Sequence, residues 1–247
     1  MKNIKLIIEF DGTNYCGWQR QVKEPTVQEA VEKAISSLTG EATEAINLTG
    51  CSRTDSGVHS IAFVANFKTS STVPPERFKE ALNSRLPEDI AVINSEEVAP
   101  DFHARYAALG KTYCYTILNR GVRSPLYRNH TYLVKDHLDI DKMKEASRYF
   151  VGKHDFTAFK STGSSVKTSV RTITALEVHK EGDLIKIYAS ADGFLYNMVR
   201  IIVGTLLEVG RGKIQPDTIK EIIESKERTR AGICVPAQGL SLDKVYY

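Results

Sequence analysis

The first hundred residues switch between two hydrophobic periods in the order strand, helix, strand, strand, helix, strand. That order restricts the fold more than any single motif does. Ile4, Leu6, Ile8 and Phe10 belong to an alternating-to-continuous strand pattern. Thr26-Val27-Gln28-Glu29 forms a capping box, after which Val27, Ala30, Val31, Ala34, Ile35 and Leu38 recur at helical spacing until Gly40 stops the run. A short strand over 46–49 leads into a polar loop. Ile61, Phe63, Ala65 and Phe67 then share one face of the next strand. Pro74-Pro75-Glu76 opens a helix expected to run to about Leu86, with Phe78 and Leu82 inward, before a strand over 90–93. This β-α-β-β-α-β order is the ferredoxin-like split arrangement, four antiparallel strands with both helices on one face.

The second half repeats the pattern with longer pieces. A strand contains Tyr113 to Ile117, and Asp141 is read as the cap of a helix through Met143, Ala146, Tyr149 and Phe150. Strands over 170–179 and 184–190 are joined by a hairpin at Lys180-Glu181-Gly182-Asp183. Helices follow over 194–209 and 217–226, before a closing strand over 240–246. The expected fold class is therefore α+β, with two ferredoxin-like β-α-β-β-α-β halves whose antiparallel sheets carry helices on one face. The halves are assigned to residues 1–105 and 106–247. No linker rich in Pro, Gly or Ser divides them, although residues 161–165 read as a mobile loop.

With 247 residues, 42% of them hydrophobic and 26% charged, the chain has the composition of a globular protein. Its longest apolar run, within residues 198–203, is too short to span a bilayer. Met1-Lys2-Asn3 leads straight into the first strand without a secretory pattern, so a cytoplasmic location and no membrane partner are expected. Cys16, Cys51, Cys114 and Cys234 lack CxxC or zinc-finger spacing and read as reduced thiols. A net charge of +3 permits a polyanionic partner without requiring one.

The loop Thr49-Gly50-Cys51-Ser52-Arg53-Thr54-Asp55-Ser56-Gly57-Val58-His59-Ser60 concentrates reactive side chains between two apolar strands. By spacing alone, Asp55 is either an ordinary turn residue bonding the backbone of Gly57 or a functional carboxylate. A second loop, residues 11–21, holds the only tryptophan, Trp18, with Tyr15 and Arg20; Trp18 either stacks on a base or caps the core. The helix from Phe194 is apolar nearly all round. Arg200 on it therefore needs a carboxylate, an open cleft or a route to the surface. Gly110-Lys111-Thr112 lacks the earlier glycine of a P-loop, the six histidines have no metal spacing, and no G-x-S-x-G elbow is present. The chemistry is thus expected to run on carboxylate, tyrosine and arginine with no cofactor and no metal.

Arg53-Thr54-Asp55-Ser56-Gly57-Val58-His59 resembles the R-T-D-x-G-V-H signature of the TruA family of tRNA pseudouridine synthases. Residues 10–21, Asp101-Phe102-His103-Ala104-Arg105, Lys111-Thr112-Tyr113-Cys114-Tyr115, residues 194–200 and Gly239-Leu240-Ser241-Leu242 are similar to further blocks of that family, in the same order. Cys51 and Ser52 stand where many members have small residues or Gly, and Ser56 replaces the usual Ala. The resemblance implies a homodimer with a central sheet platform and a basic cleft, acting on uridines 38, 39 and 40 in the anticodon stem-loop of tRNA. It makes Asp55 the catalytic residue and Tyr113 the active-site tyrosine that stacks on uracil. Arg53 is placed to contact the RNA backbone or the vacated stack, and Arg200 is the candidate partner of Asp55. Tyr115 shares the strand face of Tyr113, and the choice of Tyr113 over it rests on its position in the Lys-x-Tyr block. The competing reading is a non-catalytic RNA-binding dimer of the same fold.

Overall fold

The computed structural model describes residues 1–163 and 167–247. The loop read at 161–165 lies partly outside the described residues. The protein is α+β, as the sequence order implies, and its chain divides into two units: Met1–Leu109 with Ser241–Tyr247, and Gly110–Leu240.

In the first unit the elements are β1 (Lys2–Phe10), α1 (Val27–Thr39), β2 (Thr49–Gly50), β3 (His59–Thr69), α2 (Phe78–Asn83) and β4 (Ile90–Val98). β1 pairs antiparallel with both β3 and β4, and β2 pairs antiparallel with β3, which gives the order β4-β1-β3-β2 of the split arrangement. One half of the expected capping box forms, while the Glu29 carboxylate pairs with Lys33 at 2.7 Å. Thr26 accepts the Glu29 N–H, and Gly40 closes α1 in the left-handed region at φ 74°. Val27, Val31 and Ile35 are fully buried, as are Phe78 and Leu82 of the shorter α2, which is entered through a 3-10 turn at Pro75–Arg77.

The strand expected over 46–49 shrinks to Thr49–Gly50, while β3 extends beyond its apolar alternation in both directions. Phe63, Val64, Ala65, Asn66 and Phe67 are all buried, so this strand is covered on both faces. The edge of β3 away from β1 is shared. β2 takes its far end (Thr49 opposite Asn66), and the closing strand takes its start in parallel (Ser241 opposite His59, Leu242 opposite Ser60).

In the second unit β5 (Gly110–Asn119) pairs antiparallel with β9 (Leu184–Ala191) and parallel with the short β6 (Tyr132–Val134). β9 forms the expected hairpin with β8 (Val170–Glu181), turning at Gly182 with φ 59°, and β7 (Gly152–Asp155) adds to the outer edge of β8. The helices are α3 (Ile140–Arg148), α4 (Met198–Gly210) and α5 (Thr218–Ser225); the closing strand is β10 (Leu240–Tyr246). Two helix starts move. Asp139, not Asp141, caps α3 by accepting the Lys142 N–H. The helix expected from Phe194 starts at Met198, because Asn197 adopts φ 61°, a left-handed conformation that Asn tolerates better than most side chains. Among the described residues no helix is long and apolar enough to cross a membrane.

α4 is buried all round, and its packing depends on one residue without a side chain. A Cβ on Gly204 would run into the carbonyl of Ile233, while the next residue, Thr205, accepts the Gly232 N–H on its hydroxyl at 2.9 Å. Backbone presses on backbone here, and neither side can rotate away. Gly204→Ala should therefore lower the stability of the chain by about 2 kcal/mol or more, as overpacking does. A drop in the thermal melting temperature checks this, and an unchanged melting temperature would show that the 232–236 segment yields.

Candidate active site

The loop between β2 and β3 has no regular secondary structure, so its shape has to come from elsewhere. It is supplied by the loop at 11–18. Trp18 N–H donates to the Thr54 carbonyl at 3.3 Å, and the Tyr15 carbonyl accepts from the Gly57 N–H at 3.2 Å and from the Ser56 hydroxyl at 3.3 Å. Gly17, at φ 85°, lies so close that a Cβ would strike the Thr54 carbonyl, and a Cβ on Gly12 would strike that of Val58. Within the loop, Val58 N–H closes a turn on the Asp55 carbonyl at 3.1 Å, with Gly57 at φ 75°. The Gly57 N–H is thus engaged by the Tyr15 carbonyl of the neighbouring loop. Asp55 is half-buried and Arg53 is exposed, two residues apart on the same short stretch.

The tryptophan is a core residue. Trp18 is 3% exposed, stacked on Phe63 at 3.9 Å between ring centroids and seated over Gly50, where any Cβ would collide with its indole. Tyr15 is fixed at its other end: its hydroxyl donates to Asp89 Oδ1 at 2.6 Å. Burial first, then that hydrogen bond and the negative charge of Asp89, push the Tyr15 phenol far above its ordinary pKa, so it stays a donor. His59 is buried, with Nδ1 3.0 Å from both the Gly12 nitrogen and Asp11 Oδ1. A neutral ring accepts the Gly12 proton, whereas a charged ring donates to Asp11. In either state His59 ties the start of β3 to the 11–18 loop.

One residue escaped the sequence reading. Glu32 lies on the inward side of α1, 3% exposed, with Oε1 accepting from Gln28 Nε2 at 2.9 Å. Its Oε2 sits 3.3 Å from Arg20 Nε, close enough for ion pairing but not aligned as a hydrogen bond. Gln28 also accepts the Arg20 N–H at 3.0 Å and donates to the Leu48 carbonyl at 3.1 Å. The signal in the sequence was a glutamate one helical turn after Gln28 on a helix whose neighbouring positions are apolar.

In the second unit Tyr113 and Tyr115 both lie on β5 and both are buried, and their surroundings differ. The Tyr115 hydroxyl donates to the Pro236 carbonyl at 2.8 Å, and its ring fills the space left by Gly239. Burial pushes its phenol far up, against the pull of the Arg200 charge. Tyr115 is thus an anchored core residue. Tyr113 meets Phe194 edge to face at 5.2 Å. Arg200 is half-buried; its Nε donates to the Val235 carbonyl and its Nη1 to Asn197 Oδ1, each at 2.7 Å. Arg53 and Asp55 belong to the first unit, Tyr113 and Arg200 to the second.

A family profile described as tRNA pseudouridine synthase matches residues 6–107 and 146–247. Arg53, Asp55 and Arg200 fall in the matched segments, and Tyr113 falls between them. The chain is 62% identical to a tRNA pseudouridine synthase A 2 of Clostridium perfringens, over all of both chains. It is 57% identical to a tRNA pseudouridine synthase A of Clostridium acetobutylicum and 56% identical to one of Acetivibrio thermocellus, again over the whole of each chain.

Glu32 carries a pH signature. Burial, the largest influence, raises its folded-state pKa against the opposing effects of Gln28 and Arg20. A carboxyl with a raised folded pKa binds its proton more tightly when folded. It therefore costs stability as the pH rises from the unfolded value through the folded one. Relative to the parent chain, Glu32→Gln should gain stability between about pH 4 and about pH 7, measured by urea unfolding at both ends. A constant difference would place the Glu32 charge outside the energetics of folding.

Proposed function

Because the chain belongs to the tRNA pseudouridine synthase family, we propose that it isomerises uridines 38, 39 and 40 in the anticodon arm of tRNA with Asp55 as the nucleophile. The observation that carries this reading is the Asp55 loop itself. The family-like stretch 53–59 is held in a fixed turn by backbone bonds to Tyr15 and Trp18 before any substrate arrives.

The reaction breaks the N1–C1′ glycosidic bond, turns the uracil, forms a C5–C1′ bond and moves the C5 proton to N1. It needs neither a redox partner nor water as a reactant. Asp55 acts either by attacking C1′, which gives a covalent ester that the uracil C5 displaces, or by taking the C2′ proton to form a glycal that is reprotonated on rejoining. Arg200, pre-aimed by the Val235 carbonyl and the Asn197 amide, pairs with the Asp55 carboxylate and keeps it ionised. Tyr113 stacks on the uracil, and its hydroxyl helps to remove the C5 proton. Arg53, exposed beside Asp55, contacts the phosphate backbone or fills the stack that the flipped nucleotide leaves. In this reading residues 1–105 supply the catalytic loop, and residues 106–247 supply Tyr113 and Arg200. The working form is a cytoplasmic homodimer.

Asp55→Asn should abolish tritium release from tRNA labelled with [5-³H]uridine while leaving tRNA binding intact. Tyr113→Phe should slow release with less effect on binding. A parent chain that binds tRNA and releases no tritium from any transcript would establish the non-catalytic RNA-binding reading instead. Release by Asp55→Asn at the parental rate would remove Asp55 as nucleophile.

A further inference from the structure

Tyr106 is 78% exposed, among the most exposed large side chains of the described residues, yet its loop is fastened by several hydrogen bonds. The loop carries no regular structure between β4 and β5, and two buried asparagines fasten it from below. Asn3 Nδ2 donates to the carbonyls of Ala99 (2.9 Å) and Phe102 (3.1 Å). Asn66 Nδ2 donates to Asn3 Oδ1 (2.9 Å) and Phe102 O (3.3 Å), while Asn66 Oδ1 accepts the Ala104 N–H at 2.8 Å. The Tyr247 hydroxyl adds a bond to the Ala104 carbonyl at 2.7 Å, and Ala104 has no exposed surface. Asn3 and Asn66 occupy positions on β1 and β3 where apolar residues would pack, so a buried polar pair is spent on holding this segment.

Above that anchor the side chains form a layered surface. His103 Nδ1 accepts the N–H groups of Arg105 (3.2 Å) and Tyr106 (3.3 Å), and Ala107 N–H closes the turn on the His103 carbonyl at 2.9 Å. The imidazole stacks on the Tyr106 ring at 4.2 Å between centroids and 30° between planes. One face of the phenol is thereby covered, and its exposure is that of the other face and the edges. Arg105 is exposed, 6.0 Å from the same ring centroid, and makes no ion pair among the described residues. A rigid aromatic face backed by a second ring and flanked by an uncompensated cation suits a flat, electron-rich ring attached to an anion.

We propose that His103, Arg105 and Tyr106 form an RNA contact in which an unpaired nucleobase of the substrate tRNA stacks on Tyr106 and Arg105 meets the adjoining phosphate. The contact rests on the tRNA-modifying reading above and adds to it a site on the first unit separate from the Asp55 loop. Because the turn is held in place before RNA arrives, little ordering entropy opposes binding. The contact reads the presence of an unpaired base and not its identity, since every base has a π-face.

The test measures binding and turnover separately, with a tRNA transcript as the probe. Tyr106→Ala should weaken binding about tenfold, the usual loss of one stacked base, and should raise KM while leaving kcat unchanged. Tyr106→Phe should behave as the parent, because the ring and not the hydroxyl makes the contact. Arg105→Ala should weaken binding and flatten its salt dependence, which Tyr106→Ala leaves unaltered. In Tyr106→Trp the new indole should be quenched by tRNA against the buried Trp18 background. Circular dichroism confirms that each variant is folded. Parental affinity in Tyr106→Ala, or an indole that tRNA does not quench, overturns the stacking contact while the isomerase reading stands. A lost affinity matched by a changed oligomeric state without RNA assigns the patch to a protein contact and also overturns it. A parent chain that binds no tRNA overturns both readings.

Discussion

The close crossing of two irregular segments, 12–18 over 54–58, is the constraint on which the first unit's site depends. Ordering a loop residue costs about 1–2 kcal/mol of backbone entropy, and a net hydrogen bond returns about 1 kcal/mol. The bonds from Tyr15 and Trp18 to the Asp55 loop therefore cannot fix it alone. What fixes the crossing is the burial of Trp18 against Phe63 and Phe10, which brings the 12–18 backbone down onto the loop. Gly12 and Gly17 then allow carbonyls and N–H groups to meet where any side chain would hold them apart. The hydrogen bonds set the direction of an approach that apolar burial drives.

Tyr15 links this crossing to a third segment. Its carbonyl holds Gly57 and Ser56, its hydroxyl holds the Asp89 carboxylate, and the Asp89 carbonyl accepts the Asp11 N–H at 2.9 Å. The turn before β4, the 11–18 loop and the Asp55 loop are thus one hydrogen-bonded stack. His59 and the Arg20–Glu32–Gln28 group fasten its two sides to β3 and α1. Such a stack suits a side chain that must meet a reacting atom at a fixed distance, since the ordering is complete before substrate arrives.

The parts of this fold that were legible in the sequence are those whose cause is local. The Thr26 cap, the Gly40 stop, the β8–β9 hairpin and the all-apolar α4 each depend on residues within a few positions of one another. β6 and β7 were not legible, because Gly152-Lys153-His154-Asp155 has no apolar alternation and becomes a strand only by adding to the edge of β8. The polar end of β4 was missed for the same reason: it is strand because β1 lies beside it. At the candidate site the Asp55 motif could be read directly, while its fastening could not. The bonds to it run through backbone carbonyls and N–H groups some forty positions away, and these leave no mark on side-chain identity. Trp18 shows the converse. Composition allowed a base-stacking or a core role, and only the ring of Phe63 beneath it decides.

The second unit solves the same physical problem with a helix in place of a loop. Arg200 opens α4 behind a left-handed Asn197, whose amide accepts from the guanidinium and donates to Ser161 Oγ at 3.0 Å. The segment 232–239 then crosses the helix at Gly204, exchanges bonds with Arg200 through Val235, and is locked on its far side by the Tyr115 hydroxyl at Pro236. The guanidinium thus keeps its outer nitrogens in a set direction even though its helix is apolar on every side. In both units a charged residue lies beside a place where two backbones meet at a glycine. That is a rigid support, because the contact has no rotamers to change. A chain built this way tolerates variation in the side chains around the charged group more readily than the addition of a single methyl at Gly12, Gly17 or Gly204.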